Sequence, residues 1–232
     1  MKKRALLCTN FSPGFHNILA GTKEEILSIF DGHFEFAEVT DECTSKSMDE
    51  LRGYDCIMFY CAALWSAGPD SDFFANLIDY LANGGSAIVL HFMSPGHMAD
   101  EGAQVFGGRF VMHPPYKRCK VVPGSKKHPI TEGIKPFEID DEMHQLFTEE
   151  FLDKTVLLDC VNDECSSRAG GVIPHRDIYA KNSGVLVPLA WCHEFGKGRI
   201  IYSCPGHNAE SFKVEEYRKF LVRCGKWLVE EL

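Results

Sequence analysis

Two stretches constrain this chain more than any others: residues 56–61 (CIMFYC) and 87–90 (AIVL), each apolar at every position and without alternation. A strand that turns neither face to water has to be covered on both. That is the environment of a strand inside a parallel sheet flanked by helices. Between the two, residues 72–81 carry Phe73, Phe74, Leu77, Ile78 and Leu81 on one helical stripe, stopped by Asn83-Gly84-Gly85. Strand, helix and strand in that order make a βαβ unit, whose strands run parallel. Upstream, residues 4–9 read as a first strand and residues 34–39 as a second. Between them, residues 22–30 form a helix with Ile26, Ile29 and Phe30 on one face. Thr22 is the expected N-cap of that helix and Glu25 holds the capping-box position.

The second half changes character. Strand patterns fall within residues 109–122, 137–146 and 155–161. Residues 185–191 and 199–204 flank Glu194-Phe195-Gly196-Lys197-Gly198, a hairpin by its glycines. Residues 214–229 close the chain as an amphipathic helix carrying Tyr217, Phe220, Leu221, Cys224, Trp227 and Leu228. The expected fold class is α/β: a doubly wound, mostly parallel, flavodoxin-like sheet flanked by helices, with antiparallel hairpin additions. No linker interrupts the pattern, and 232 residues suit one domain spanning 1–232.

Charge and cysteine usage narrow the partners. The net charge of −9 argues against nucleic acid and anionic membrane as partners. Ten cysteines are present with no C-x-x-C pair, and several sit in apolar runs, where they act as small core hydrophobes. The N-terminal apolar run is too short for a signal peptide, and no run reaches transmembrane length. The expectation is a cytoplasmic protein with reduced thiols, for which a homo-oligomer is compatible.

In open α/β sheets, ligands bind beyond the carboxyl ends of the strands. Three of the ten histidines follow strand candidates there: His16 after the loop from strand one, His91 directly after residues 87–90, and His207 across Pro205-Gly206. Imidazole serves as acid, base or metal ligand near neutral pH. For any one of them a loop histidine bonded to backbone is the blander reading; convergence of three on one edge is what favours function. In Asp140-Asp141-Glu142-Met143-His144 an extended chain puts Glu142 and His144 on one face, although taken alone this motif reads as a solvated strand edge. His91, His207 and Glu142 are the catalytic candidates. His16, Phe15, Trp65, His113 and His144 are candidates for binding the substrate, and His16, His91 and His207 for holding a divalent metal such as zinc. Aromatic side chains such as Phe15, Trp65 and Phe92 can stack on a sugar ring, and each alone is as readily core. His113-Pro114 and His128-Pro129 mark turns, because a residue before proline is held extended. His33, His175 and His193 carry no spacing signal and are expected at the surface.

Several motifs together resemble a known family. Residues 128–134 (HPITEGI) followed by Asp141-Glu142-Met143, residues 107–115 (GGRFVMHPP), and residues 188–202 (PLAWCHEFGKGRIIY) followed by Pro205-Gly206-His207 are similar to motifs of the ThuA-like, trehalose-utilisation family. Phe15-His16 resembles its first histidine loop but lacks a residue that the family places between the two. The resemblance implies the class I glutamine amidotransferase-like fold, in which a nucleophilic cysteine sits on a tight turn after a central strand. Here His91 stands at that place, and His207 falls near the fold's catalytic histidine. Glutamine hydrolysis through a thioester is therefore not expected. The resemblance implies a part in bacterial use of trehalose or a related disaccharide without naming a reaction; the strand-end histidines point to an enzyme acting on a sugar or keto-sugar, a hydrolase, lyase or isomerase with or without a divalent metal. The alternatives are a non-catalytic sugar-binding or regulatory protein and, last, a cysteine hydrolase using Cys61.

Overall fold

The computed structural model describes residues 2–9, 21–40, 42–60, 71–91, 100–112, 116–148, 152–162 and 185–232. Its centre is a nine-stranded sheet in the order β2-β1-β3-β4-β11-β10-β9-β6-β7. Here β1 is Lys3–Thr9, β2 Phe34–Thr40, β3 Cys56–Tyr60, β4 Ser86–Leu90, β6 Lys117–Pro123, β7 Phe137–Asp141, β9 Thr155–Asn162, β10 Val185–Phe195 and β11 Gly198–Ser203. The first five strands in this order are parallel. Four antiparallel pairings follow, so only β10 and β6 run against the rest and seven of the nine share one direction. The two runs that set the fold class are β3 and β4, and every residue of both is buried.

Helices α1 (Thr22–Phe30), α2 (Met48–Leu51), α3 (Asp72–Ala82), α4 (Asp100–Phe106), α5 (Ala209–Lys213) and α6 (Glu215–Leu228) accompany the sheet. A separate antiparallel ribbon pairs β5 (Gly108–Met112) with β8 (Gln145–Thr148). The α3 stripe buries Phe73, Phe74, Leu77, Tyr80 and Leu81; Tyr80 replaces Ile78, which is only partly covered. The expected cap of α1 is corrected. Gly21, at φ 82°, is the N-cap without any side-chain bond, and Thr22 is a buried first-turn residue. Glu25 is engaged elsewhere: its carboxylate pairs with Arg218 of α6 at 2.5 Å, tying the two helices together.

The hairpin is tighter than its glycines suggested. Strand β10 runs on to Phe195, leaving Gly196-Lys197 as a two-residue loop. A Cβ on Gly198 would stand 2.2 Å from the Gly85 carbonyl oxygen, so only glycine lets the hairpin seat against the end of α3.

The antiparallel half does not lie flat. Four strand spacings separate β11 from β7, about 19 Å in a planar sheet. Yet the Asp141 carboxylate at the end of β7 is 2.7 Å from the Gly206 amide just beyond β11. The sheet therefore curls over. Register shifts at Pro188/Ala190 and Ala190/Trp191, between β9 and β10, supply local bends of the kind bulges give. This curl brings the β7 terminus to the carboxyl ends of β4 and β11.

Candidate active site at the carboxyl edge of the sheet

His91 is the first residue after β4 and has φ 48°. A non-glycine residue there stores about 1–3 kcal/mol and persists only where its surroundings hold it. Two hydrogen bonds do so: its amide donates to the Ser203 carbonyl at 2.9 Å, and its ring Nδ1 lies 2.8 Å from the Cys204 carbonyl oxygen. A carbonyl only accepts, so Nδ1 carries the proton and Nε2 carries the lone pair. The ring is buried, and burial lowers its pKa against the opposing pull of Asp141 and the Cys204 carbonyl, which keeps the imidazole neutral. Gly206, at φ 146°, passes close by: a Cβ on it would stand 3.0 Å from His91 Cβ and 2.9 Å from the Phe212 ring.

The turn from Cys204 to His207 is pinned at each residue. The Cys204 amide donates to the Leu189 carbonyl at 2.8 Å. Tyr217 donates its hydroxyl to the Pro205 carbonyl at 2.6 Å, which makes Ser203 Oγ the donor in its 2.8 Å contact with that hydroxyl. Tyr60 donates to the Gly206 carbonyl at 2.8 Å. The fully buried Asp141 carboxylate accepts from the amides of Gly206 at 2.7 Å, His207 at 3.3 Å and Glu142 at 2.7 Å, and stands 3.6 Å from His91 Nδ1. Asp141 thus organises three residues of the site through their backbones.

On that frame the side chains converge. The His91 and His144 ring centroids are 4.5 Å apart, and those of His91 and His207 are 5.3 Å apart. Glu142 Oε2 lies 3.0 Å from His207 Nδ1. His144 is buried, with its amide donating to Cys204 Sγ at 3.1 Å and Phe110 edge-on to its ring at 5.1 Å. Tyr116, 42% exposed, borders the cluster at 5.3 Å from the His207 ring and accepts from Asn208 Nδ2 at 3.0 Å. The Cys204 thiol beside this cluster is no nucleophile: burial and the Asp141 charge push its pKa far up, so it stays protonated.

A family model described as ThuA, trehalose utilisation, matches residues 14–228. The chain belongs to the ThuA family. Solved structures of similar proteins have the same fold. A ThuA-like protein from Bacteroides uniformis ATCC 8492 aligns over 98% of this chain and 91% of its own, with a TM-score of 0.72 at 18% identity. A ThuA-like protein from Parabacteroides merdae ATCC 43184 aligns over 98% and 90%, with a TM-score of 0.70 at 15% identity. A Salmonella typhimurium LT2 protein described as cytoplasmic aligns over 97% and 99%, with a TM-score of 0.66 at 15% identity. A comparison with curated proteins returns no match.

Within this ThuA protein, four of the residues singled out from the sequence lie together: His91, His207, Glu142 and His144. His16, Phe15, Trp65, His113, Phe92, Cys61 and His175 lie outside the described residues. Glu142 and His144 reach the cluster by a route other than strand alternation. The strand ends at Asp141, and the chain leaves the sheet, so that Asp141 joins them. Asp141 is the site residue to which sequence reasoning gave no role, although it stood in the Asp140–His144 motif and in the family-like Asp141-Glu142-Met143. Tyr116 and Phe110 were missed as well. Two surface expectations are corrected. His193 lies on β10, is buried, and has Nε2 2.8 Å from the Val105 carbonyl of α4. His33 is half-buried against Glu231, with Nδ1 3.0 Å from its carboxylate. His128 does mark a turn, its Nδ1 accepting from the Ile130 amide at 3.2 Å.

Chemically, the ThuA cluster offers the His207 imidazole with the Glu142 carboxylate 3.0 Å from its Nδ1, and an acceptor nitrogen on neutral His91. These are the parts of proton transfer: an imidazole beside a carboxylate, and a partner that receives a hydroxyl hydrogen bond.

Proposed function

We propose that this ThuA protein is an enzyme of carbohydrate utilisation that moves a proton on a keto-sugar, such as a keto derivative of trehalose or of a related disaccharide. The Glu142–His207 pair, at 3.0 Å within a buried cluster, carries the reading. His207 takes the proton from the carbon next to the sugar carbonyl at Nε2. Nδ1 keeps its proton with the Glu142 carboxylate 3.0 Å away, and the electron pair from the broken C–H bond moves toward the carbonyl oxygen. In the metal-free protein His91 Nε2 accepts a hydrogen bond from a neighbouring hydroxyl and so orients the ring; an ion bound at that nitrogen would take over this contact through its own bond to the sugar oxygen. Proton removal at such a carbon is shared by isomerases and lyases, which is why the geometry supports that class better than the family description alone. We infer a cytoplasmic location as well, supported by the eight described cysteines being free and buried.

The test is hydrogen exchange. Incubation with keto derivatives of trehalose and related disaccharides in D2O should replace the proton next to the carbonyl by deuterium, seen by NMR. His207→Ala and Glu142→Gln should each slow the exchange by roughly 10²–10⁴-fold, the usual contribution of a positioned acid or base. Sugar binding without exchange or turnover across the panel would overturn the enzyme and leave a sugar-binding protein.

A further inference from the structure

The same edge carries a donor set with a second use. One ligand atom each from His91, Glu142 and His144 lies within 4.8 Å of the others. A divalent first-row ion bonded at about 2.0–2.2 Å holds tetrahedral neighbours about 3.3–3.6 Å apart, so side-chain shifts of an ångström or so close the triangle. We propose that His91 Nε2, a ring nitrogen of His144 and a carboxylate oxygen of Glu142 bind one divalent metal ion, with the remaining coordination positions left for water or a sugar oxygen.

Three features beyond proximity support the site. The first is the His91 tautomer: Nδ1 donates to the Cys204 carbonyl at 2.8 Å, the outer bond that ligating imidazoles make and that leaves Nε2 as the ligating atom. The second is charge. Two carboxylates, Asp141 and Glu142, meet here, Asp141 fully buried and 3.6 Å from the His91 ring, so a dication answers negative charge in a water-poor setting. The third is rigidity. The His144 amide is tied to Cys204 Sγ, the Glu142 amide to Asp141, and the His91 amide to Ser203, so the backbone that carries the three donors is held before any ion arrives. Glu142 serves both partners without conflict, because one oxygen can face His207 while the carboxylate ligates through the other. Two imidazoles and one carboxylate with open positions suit zinc and other first-row dications better than calcium or magnesium, which take oxygen ligands. A bound ion would polarise a keto oxygen, the atom toward which the proposed proton removal sends its electrons. The proposal shares residues with the proton-transfer reading, and the two fail separately, since metal binding is read without any sugar.

The experiment uses full-length protein without a histidine tag, stripped with chelator and titrated with zinc chloride by calorimetry. The expected result is one ion per chain. His144→Ala and Glu142→Gln should each weaken binding by more than about tenfold, the loss that removing even an outer-shell partner causes. His33→Gln, at the opposite edge of the sheet, should leave it within about threefold of the parent. Cobalt substitution of the unmodified protein checks the site without variants: visible absorption bands of a four- or five-coordinate ion are expected. Absence of stoichiometric zinc binding, a cobalt spectrum of the free hexaaqua ion, or affinity unchanged in folded His144→Ala and Glu142→Gln overturns the proposal.

Discussion

The neighbours Asp141 and Glu142 are both carboxylates and have opposite jobs. Asp141 is fully buried and collects three backbone amides. Asp141→Asn replaces one acceptor oxygen by an NH2 facing those donors, so it should cost about 3–5 kcal/mol, as breaking a buried ionic network does. For a chain of this size that is a fall of roughly 10 °C in Tm, measurable by thermal denaturation. Glu142→Gln, near the surface of the cluster, should move Tm by less than about 2 °C while removing exchange activity. Equal small shifts would mean that Asp141 is no organiser. His91 tests strain in the same way. Because φ 48° is free for glycine and costly for other residues, His91→Gly should be more stable than His91→Ala by about 1 kcal/mol, with neither active. Urea denaturation of the two variants decides it, and the reverse order would show that the turn stores no backbone strain.

At the scale of elements, β10 and α4 are joined by His193, whose ring is buried and donates to the Val105 carbonyl at 2.8 Å. Burial, with Lys154 nearby, lowers its pKa below the ordinary histidine value, and the Val105 carbonyl only partly opposes this. Protonation therefore favours the unfolded chain. The contribution of the neutral ring is fully present above the unfolded pKa of about 6.5 and is lost as pH falls toward the lower folded value. Within that window His193 contributes a slope of up to about 1.4 kcal/mol per pH unit. His193→Gln keeps a donor for Val105 without a titrating ring, so its stability should fall less between pH 7 and pH 5 than that of the parent. Identical slopes in chemical denaturation at the two pH values would sink this account.

At the scale of the whole molecule, the curl of the sheet makes the site. It carries the end of β7 back to the ends of β4 and β11, so that residues distant in sequence share one edge: His144 meets Cys204 across 60 positions and His91 meets it across 113. The core that supports this is continuous and takes in the described cysteines. Among the described residues all eight cysteines are free and buried, with burial raising the thiols of Cys56, Cys204 and Cys224. Thiol titration of denatured protein without reductant should accordingly find close to all ten cysteines reduced. Mostly oxidised cysteines would argue for a different compartment.

What the sequence determined by itself was what short-range pattern can carry. Continuous apolar runs of strand length specified β3 and β4 as doubly covered parallel strands, helical spacing specified α3 and α6, and position after a strand singled out His91 and His207. These follow from local geometry, where period and burial are properties of neighbouring residues. The tertiary structure alone decided the rest. It placed Asp141 under the site, turned Glu142 and His144 inward although the strand had ended, took Glu25 from its own helix cap to Arg218, and buried His193. Each of these depends on a partner far away in the chain, brought near by the folding of the sheet and its helices. No local periodicity records a contact of that kind, because the same Asp-Glu-x-His at an uncurled sheet edge would be solvated.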